Sequence, residues 1–126
     1  MQLPSDISIY ELIDDLRIFS WEAAEVLLYY SKILKDPNYK SNIIKNDNND
    51  DPVTLADLKV NEVIINRINE KYKNNNWEIL SEENVKITPK DVNTDADWIW
   101  VLDPLDGTKD FIQGTSNYAM LLALNY

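Results

Sequence analysis

The segment Asp103-Pro104-Leu105-Asp106-Gly107-Thr108 sets two carboxylates three positions apart and follows them with a glycine and a hydroxyl. A turn at Pro104 and Asp106-Gly107 would aim both side chains, and the Leu105 carbonyl, to one side. Magnesium takes oxygen ligands of this kind and keeps part of its shell for water or phosphate. The residues after Gly107 suit a helix start, and backbone amides at a helix start receive phosphate. The segment is therefore equipped to hold a hard divalent cation and a phosphate together.

Such a segment needs a rigid support. The apolar run Trp98-Ile99-Trp100-Val101-Leu102 just before it reads as a buried strand. Tyr118 to Leu124, after Gly114, reads as a second strand, and Trp77 to Leu80 as a short third one ending in Ser81-Glu82-Glu83. Leu12, Leu16, Phe19, Ala23, Val26, Tyr30 and Ile33 alternate spacings of four and three. They predict a long amphipathic helix that starts with a Ser8/Glu11 capping box and fails near Asp36-Pro37. Ala56, Val60, Ile64, Ile68 and Tyr72 form the apolar row of a second helix, with Thr54 as its N-cap and Asp57 three residues on. The polar stretch Asn38–Asp51 and the segment Asn84–Asp97 are expected to be loops. The fold class is α+β: two long helices packed on a mostly antiparallel sheet.

Composition limits the chemistry. At 126 residues and 44% hydrophobic content, with four Trp and seven Tyr, the chain is one folded domain. It has no cysteine and no histidine, which removes thiolate nucleophiles, imidazole bases and the usual zinc ligands. With only two glycines it can write neither a P-loop nor a dinucleotide fingerprint. A net charge of −10 argues against nucleic acid and anionic membranes as partners. It does not argue against a small anionic substrate if bound cations invert the local field. The sequence shows no signal peptide and no apolar run long enough to span a bilayer, so a cytoplasmic protein is expected.

Three acidic clusters fall at element boundaries: Asp57 at a helix start, Glu82 at a strand end, and Asp103 with Asp106 at another. Each has an ordinary structural explanation. Asp57 complements a helix dipole, Glu82-Glu83 is also a solvated strand end, and Asp106-Gly107 is also a turn. Lys45 and Asp47, in the polar stretch, are weaker candidates. Asp47-Asn48-Asn49-Asp50-Asp51 fails as an EF-hand loop, because Pro52 stands where glycine is needed and Leu58 where glutamate is.

Taken together, Asp51-Pro52-Val53-Thr54-Leu55-Ala56-Asp57, Ser81-Glu82-Glu83 and Asp103-Pro104-Leu105-Asp106-Gly107-Thr108, in that order, resemble the motifs of the inositol monophosphatase superfamily of magnesium-dependent phosphomonoesterases. Lys109-Asp110-Phe111 and Asn117-Tyr118-Ala119 are more similar to its 3'(2'),5'-bisphosphate nucleotidases. Those enzymes convert adenosine 3',5'-bisphosphate, a by-product of sulfate assimilation, to AMP. Inositol phosphate is the alternative substrate. The resemblance implies two or more Mg2+ ions, with Glu82, Asp103 and the Leu105 carbonyl on one and Asp103 and Asp106 on a second. It implies that the Gly107 and Thr108 amides take the phosphate. Thr108, supported by Asp57, would orient and help deprotonate the attacking water. Ser81 departs from the glycine usual in the family.

The same resemblance makes residues 1–126 the N-terminal, metal- and phosphate-binding half of a sugar-phosphatase-like αβαβα fold, with the C-terminal domain absent. A truncated, non-catalytic binding module, completed by a separate C-terminal half or by a homodimer, is the rival expectation.

Overall fold

A computed structural model describes residue 3 and residues 7–46, 50–87 and 96–126. In chain order the elements are α1 (Ile9–Leu34), α2 (Pro37–Ile43), β1 (Ile44–Asn46), β2 (Val53–Thr54), α3 (Leu55–Tyr72), β3 (Trp77–Ser81), α4 (Glu82–Ile87), β4 (Trp98–Asp106), α5 (Thr108–Gln113) and β5 (Ala119–Asn125).

The two long helices form where the period predicts them. On α1, Leu12, Phe19, Ala23, Leu27 and Leu34 are buried, while Leu16, Val26, Tyr30 and Ile33 pack at the margin of the core. The 3.6-residue turn carries the buried row from Ala23 to Leu27 and Leu34 rather than along Val26 and Ile33. Ser8 is the N-cap of α1, yet its side chain makes no capping hydrogen bond, so the expected Ser8/Glu11 box does not form. On α3, Ala56, Val60, Ile64, Ile68 and Tyr72 are all buried, and Thr54 and Asp57 close a full capping box.

The two helices pack on each other and share a buried polar contact. The Tyr72 hydroxyl donates to Asp15 Oδ2 at 2.7 Å, and Lys71 Nζ stands 3.4 Å from Asp15 Oδ1. Burial, followed by the Asp15 carboxylate, raises the Tyr72 phenol well above its ordinary pKa. Farther along, Arg67 grips Glu22 through two N–H groups at 2.8 and 2.7 Å, an exposed pair that aligns the helices more than it stabilises them.

The Asn38–Asp51 stretch is not one loop. Pro37 occupies the first turn of α2, Asp36 Oδ1 accepts from the Asn38 amide at 2.9 Å, and the buried Ile43 anchors the far end. A lone buried isoleucine among polar residues leaves no periodic signal in the sequence. β1 then pairs antiparallel with β2. Similarly, α4 occupies the first part of the segment expected to be a loop from Asn84 to Asp97.

The main sheet has three strands in the order β3-β4-β5. β3 runs parallel to β4, in register from Trp77↔Trp98 to Ser81↔Leu102, and β4 runs antiparallel to β5. With β1–β2 also antiparallel, the chain is α+β with a mixed main sheet. β4 does not turn at Pro104. It continues to Asp106 with a shift in register between Asp103 and Asp106. Pro104 lacks an N–H for the ladder and is fully buried there, so it produces a bulge where a turn was expected.

The core lies between α1, α3 and one face of the sheet, around Ile64, Trp100, Leu102 and Phe111. Tyr72 stacks on Trp77 with ring centroids 5.2 Å apart, and Trp100 lies 6.0 Å from Trp77. Among the described residues no helix is long and apolar enough to cross a membrane.

Tyr72→Phe keeps the ring packing and removes only the donor to buried Asp15. Urea unfolding should show a loss of about 1–3 kcal/mol with an unchanged m value.

Candidate active site

Asp57 lies in the first turn of α3, where its carboxylate is almost wholly withdrawn from water. Oδ2 accepts from the Thr54 amide at 2.8 Å and from the Thr54 hydroxyl at 2.6 Å. The Thr54 hydroxyl in turn accepts from the Ala56 amide at 3.1 Å and the Asp57 amide at 3.4 Å. The Thr108 hydroxyl, from the start of α5 just beyond β4, donates to Oδ1 at 3.1 Å. Burial raises the Asp57 pKa, and the hydrogen bonds from Thr54 and Thr108 hold part of that rise back. The result is a fixed, poorly solvated carboxylate with one oxygen pointed at a hydroxyl.

Thr108 also lies 2.9 Å from the Leu105 carbonyl. Its single proton serves either acceptor, and its lone pairs remain for a donor such as water. Leu105 continues the chain of contacts, because its amide donates to Asp103 Oδ1 at 3.1 Å. Asp103 next meets Glu82. Burial, then the charge and hydrogen bond of Glu82, and then the charge of Asp106 push the Asp103 pKa up to about 6. One run of contacts therefore leads from Thr54 through Asp57, Thr108, Leu105 and Asp103 to Glu82.

These donors suit a cation. Burial and the neighbouring charges of Glu82 and Asp106 disfavour the ionised form of Asp103, and a divalent ion would offset both with two positive charges. Among the described residues no three acidic side chains already converge into a cage. An ion here would therefore complete its shell with the Leu105 carbonyl, water or substrate oxygen, as magnesium commonly does.

Gly107 links the bulged strand to α5 in the left-handed conformation, with φ 81°. A Cβ there would strike the backbone carbonyl oxygen of Asn117. Glycine is required on both counts, and the close approach seats the residues before β5 against the start of α5.

Sequence reasoning missed Asn61. Its side chain accepts from the Ser81 hydroxyl and donates to Asn84 Oδ1 at 2.9 Å, which ties α3 to the β3–α4 corner that carries Glu82. Its position one helical turn beyond Asp57 was the available signal. Ser81, read as a departure from the family pattern, is fully buried and supplies this link. Glu83, beside the exposed Glu82, is buried instead. Lys45 lies exposed on β1, and Asp47 lies outside the described residues.

Fold and site together define an α+β domain that gathers acidic and hydroxyl groups at the ends of two parallel strands and the start of a long helix. The chain belongs to the Inositol monophosphatase family, whose pattern matches residues 13–126. It is 36% identical over 81 residues to the 3'(2'),5'-bisphosphate nucleotidase CysQ of Haemophilus influenzae, a match covering 64% of this chain and 28% of that protein. It is 41% identical over 64 residues to inositol monophosphatase 1 of Sus scrofa, covering 51% of this chain and 22% of that one. Among solved structures, the suhB protein of Bartonella henselae superposes with a TM-score of 0.72 at 22% identity, over 91% of this chain and 40% of its own. CysQ of Bacteroides thetaiotaomicron gives 0.56 at 32% identity, over 84% and 34%. The chain thus spans well under half the length of these relatives.

Two substitutions probe the site's construction. Thr54→Val removes the hydroxyl that both caps α3 and holds Asp57, and should cost about 1–2 kcal/mol in chemical denaturation. Gly107→Ala should destabilise more than Gly114→Ala. Both glycines have positive φ, but only Gly107 faces a backbone atom where the methyl would go. We expect about 1 kcal/mol at Gly114 and at least about twice that at Gly107 in thermal melts.

Proposed function

We propose that this chain is the metal- and phosphate-binding part of a cytoplasmic, magnesium-dependent phosphomonoesterase acting on adenosine 3',5'-bisphosphate. The observation that carries the proposal is the unbroken line of contacts from Asp57 through Thr108, Leu105 and Asp103 to Glu82. A base, a hydroxyl and a set of cation ligands together suit metal-assisted hydrolysis of a phosphate ester, and here they are in mutual reach.

Glu82, Asp103, Asp106 and the Leu105 carbonyl would hold Mg2+. Bound there, Mg2+ neutralises phosphate charge and makes water more acidic. The chain's own residues do the rest. The Gly107 and Thr108 amides receive phosphate oxygen. The Thr108 hydroxyl accepts a hydrogen bond from the attacking water while donating its own to Asp57. Asp57, its pKa raised by burial and its other oxygen occupied by Thr54, is placed to draw the proton through Thr108.

The nucleotide substrate is supported by the match to the Haemophilus influenzae bisphosphate nucleotidase and by Lys109-Asp110-Phe111 following Thr108. Inositol phosphate is the second reading, supported by the match to the Sus scrofa enzyme.

Phosphate release from adenosine 3',5'-bisphosphate and from inositol monophosphate should be measured side by side, with magnesium and after chelation. The expected result is chelator-sensitive release favouring the nucleotide. Release no greater than that of Asp106→Asn would rule out catalysis by this chain. Thr108→Val retains the backbone amide and loses the hydroxyl, so kcat should fall by about 10²–10⁴ with KM little changed.

A further inference from the structure

We propose that Asn61 is a positioning residue, which holds Glu82 ready for a divalent cation by fixing the chain on either side of it. The inference deepens the cation-binding reading of the site and rests on it.

Asn61 follows Asp57 by four residues on α3, so the two side chains stand one above the other on the same helix face. Asp57 reaches Thr108 at the start of α5. Asn61 reaches the corner where β3 ends and α4 begins. One face of one helix thus holds both sides of the site, the hydroxyl through Asp57 and the Glu82 corner through Asn61.

The two ends of the Asn61 carboxamide have separate partners. Its oxygen accepts from the Ser81 hydroxyl, and its nitrogen donates to Asn84 Oδ1 at 2.9 Å. Glu82 lies between these partners in the chain. Ser81 is fully withdrawn from water and Glu83 is buried, whereas Glu82 between them is exposed. The corner is therefore anchored just before Glu82 and again just after it, and the carboxylate that meets Asp103 projects from the anchored stretch.

A glutamate loses rotamer freedom when it takes a cation, and a chain already fixed has less to lose. Groups that orient a ligand in this way affect metal affinity by amounts that approach those of the ligands themselves. A carboxamide suits the task because it carries an acceptor at one end and donors at the other. A residue without a hydroxyl at position 81 would leave the Asn61 oxygen without this donor. Ser81 and Asn61 therefore act as a pair.

Isothermal titration calorimetry with magnesium tests the proposal, each variant being checked for folding by circular dichroism. Asn61→Ala and Ser81→Ala should each raise the magnesium dissociation constant about tenfold. The double variant should bind no more than about twofold weaker than either single one, because the two residues form one contact. Asn84→Ala, at an exposed position, should weaken binding by about threefold. Arg67→Gln removes the Glu22 pair farther along α3 and should leave the affinity unchanged, which separates positioning from a general loss of stability. If Asn61→Ala binds magnesium as tightly as the wild-type chain does, the proposal falls and the cation reading stands. If Arg67→Gln weakens binding as much as Asn61→Ala, the proposal falls as well. A wild-type chain that binds no magnesium overturns both.

Discussion

The Asp57 carboxylate must satisfy two elements at once. A buried carboxylate survives only if hydrogen bonds replace the water it has lost, and Asp57 draws those bonds from opposite directions. One oxygen closes the capping box that starts α3, and the other meets a hydroxyl 51 positions later, at the start of α5 just past β4. Helix start and strand end are thereby fixed against each other. The packing of Val60 and Ile64 on Trp100 and Leu102 holds the same geometry from the apolar side. Burial strong enough to raise the pKa of this side chain also gives it a definite orientation.

Much of this was legible in the sequence because the signals were local. The alternation of four and three spacings on α1 and α3 is a property of one helix face. The cap at Thr54 is a property of four consecutive residues. The acidic motifs were legible because carboxylate, glycine and hydroxyl fall within a few positions of one another. What was not legible depends on distant partners. Nothing in the local pattern says that Thr108 would reach Asp57, a pairing that only the family resemblance implied, and nothing says that Asn61 would clasp Ser81. α2 and β1 hang on a single buried isoleucine and escaped the periodicity test. The turn expected at Pro104 followed from proline's preferences. Pairing with β5 and burial of the ring overrode them and drew the strand on to Asp106.

Acidity in this chain has two characters. Over most of the surface it is solvated and diffuse. At the strand ends it is concentrated, with burial and then the neighbouring Glu82 and Asp106 raising the Asp103 pKa to about 6. A carboxylate cluster that uncomfortable gains from a cation more than a single exposed aspartate does, and no cysteine or histidine is present to draw a softer metal.

The parallel register of β3 and β4 acts as a ruler. Ser81 lies opposite Leu102, so the residues that follow, Glu82 at the start of α4 and Asp103 on β4, come at the same level. Side chains alternate faces along a strand, and a slip of one residue would send Asp103 to the wrong side while Glu82 stayed. The distance between the two motifs along the chain is therefore free to drift, whereas the count within each strand is not. Length variation among relatives should collect between α4 and β4 and be absent from the nine residues of β4 itself.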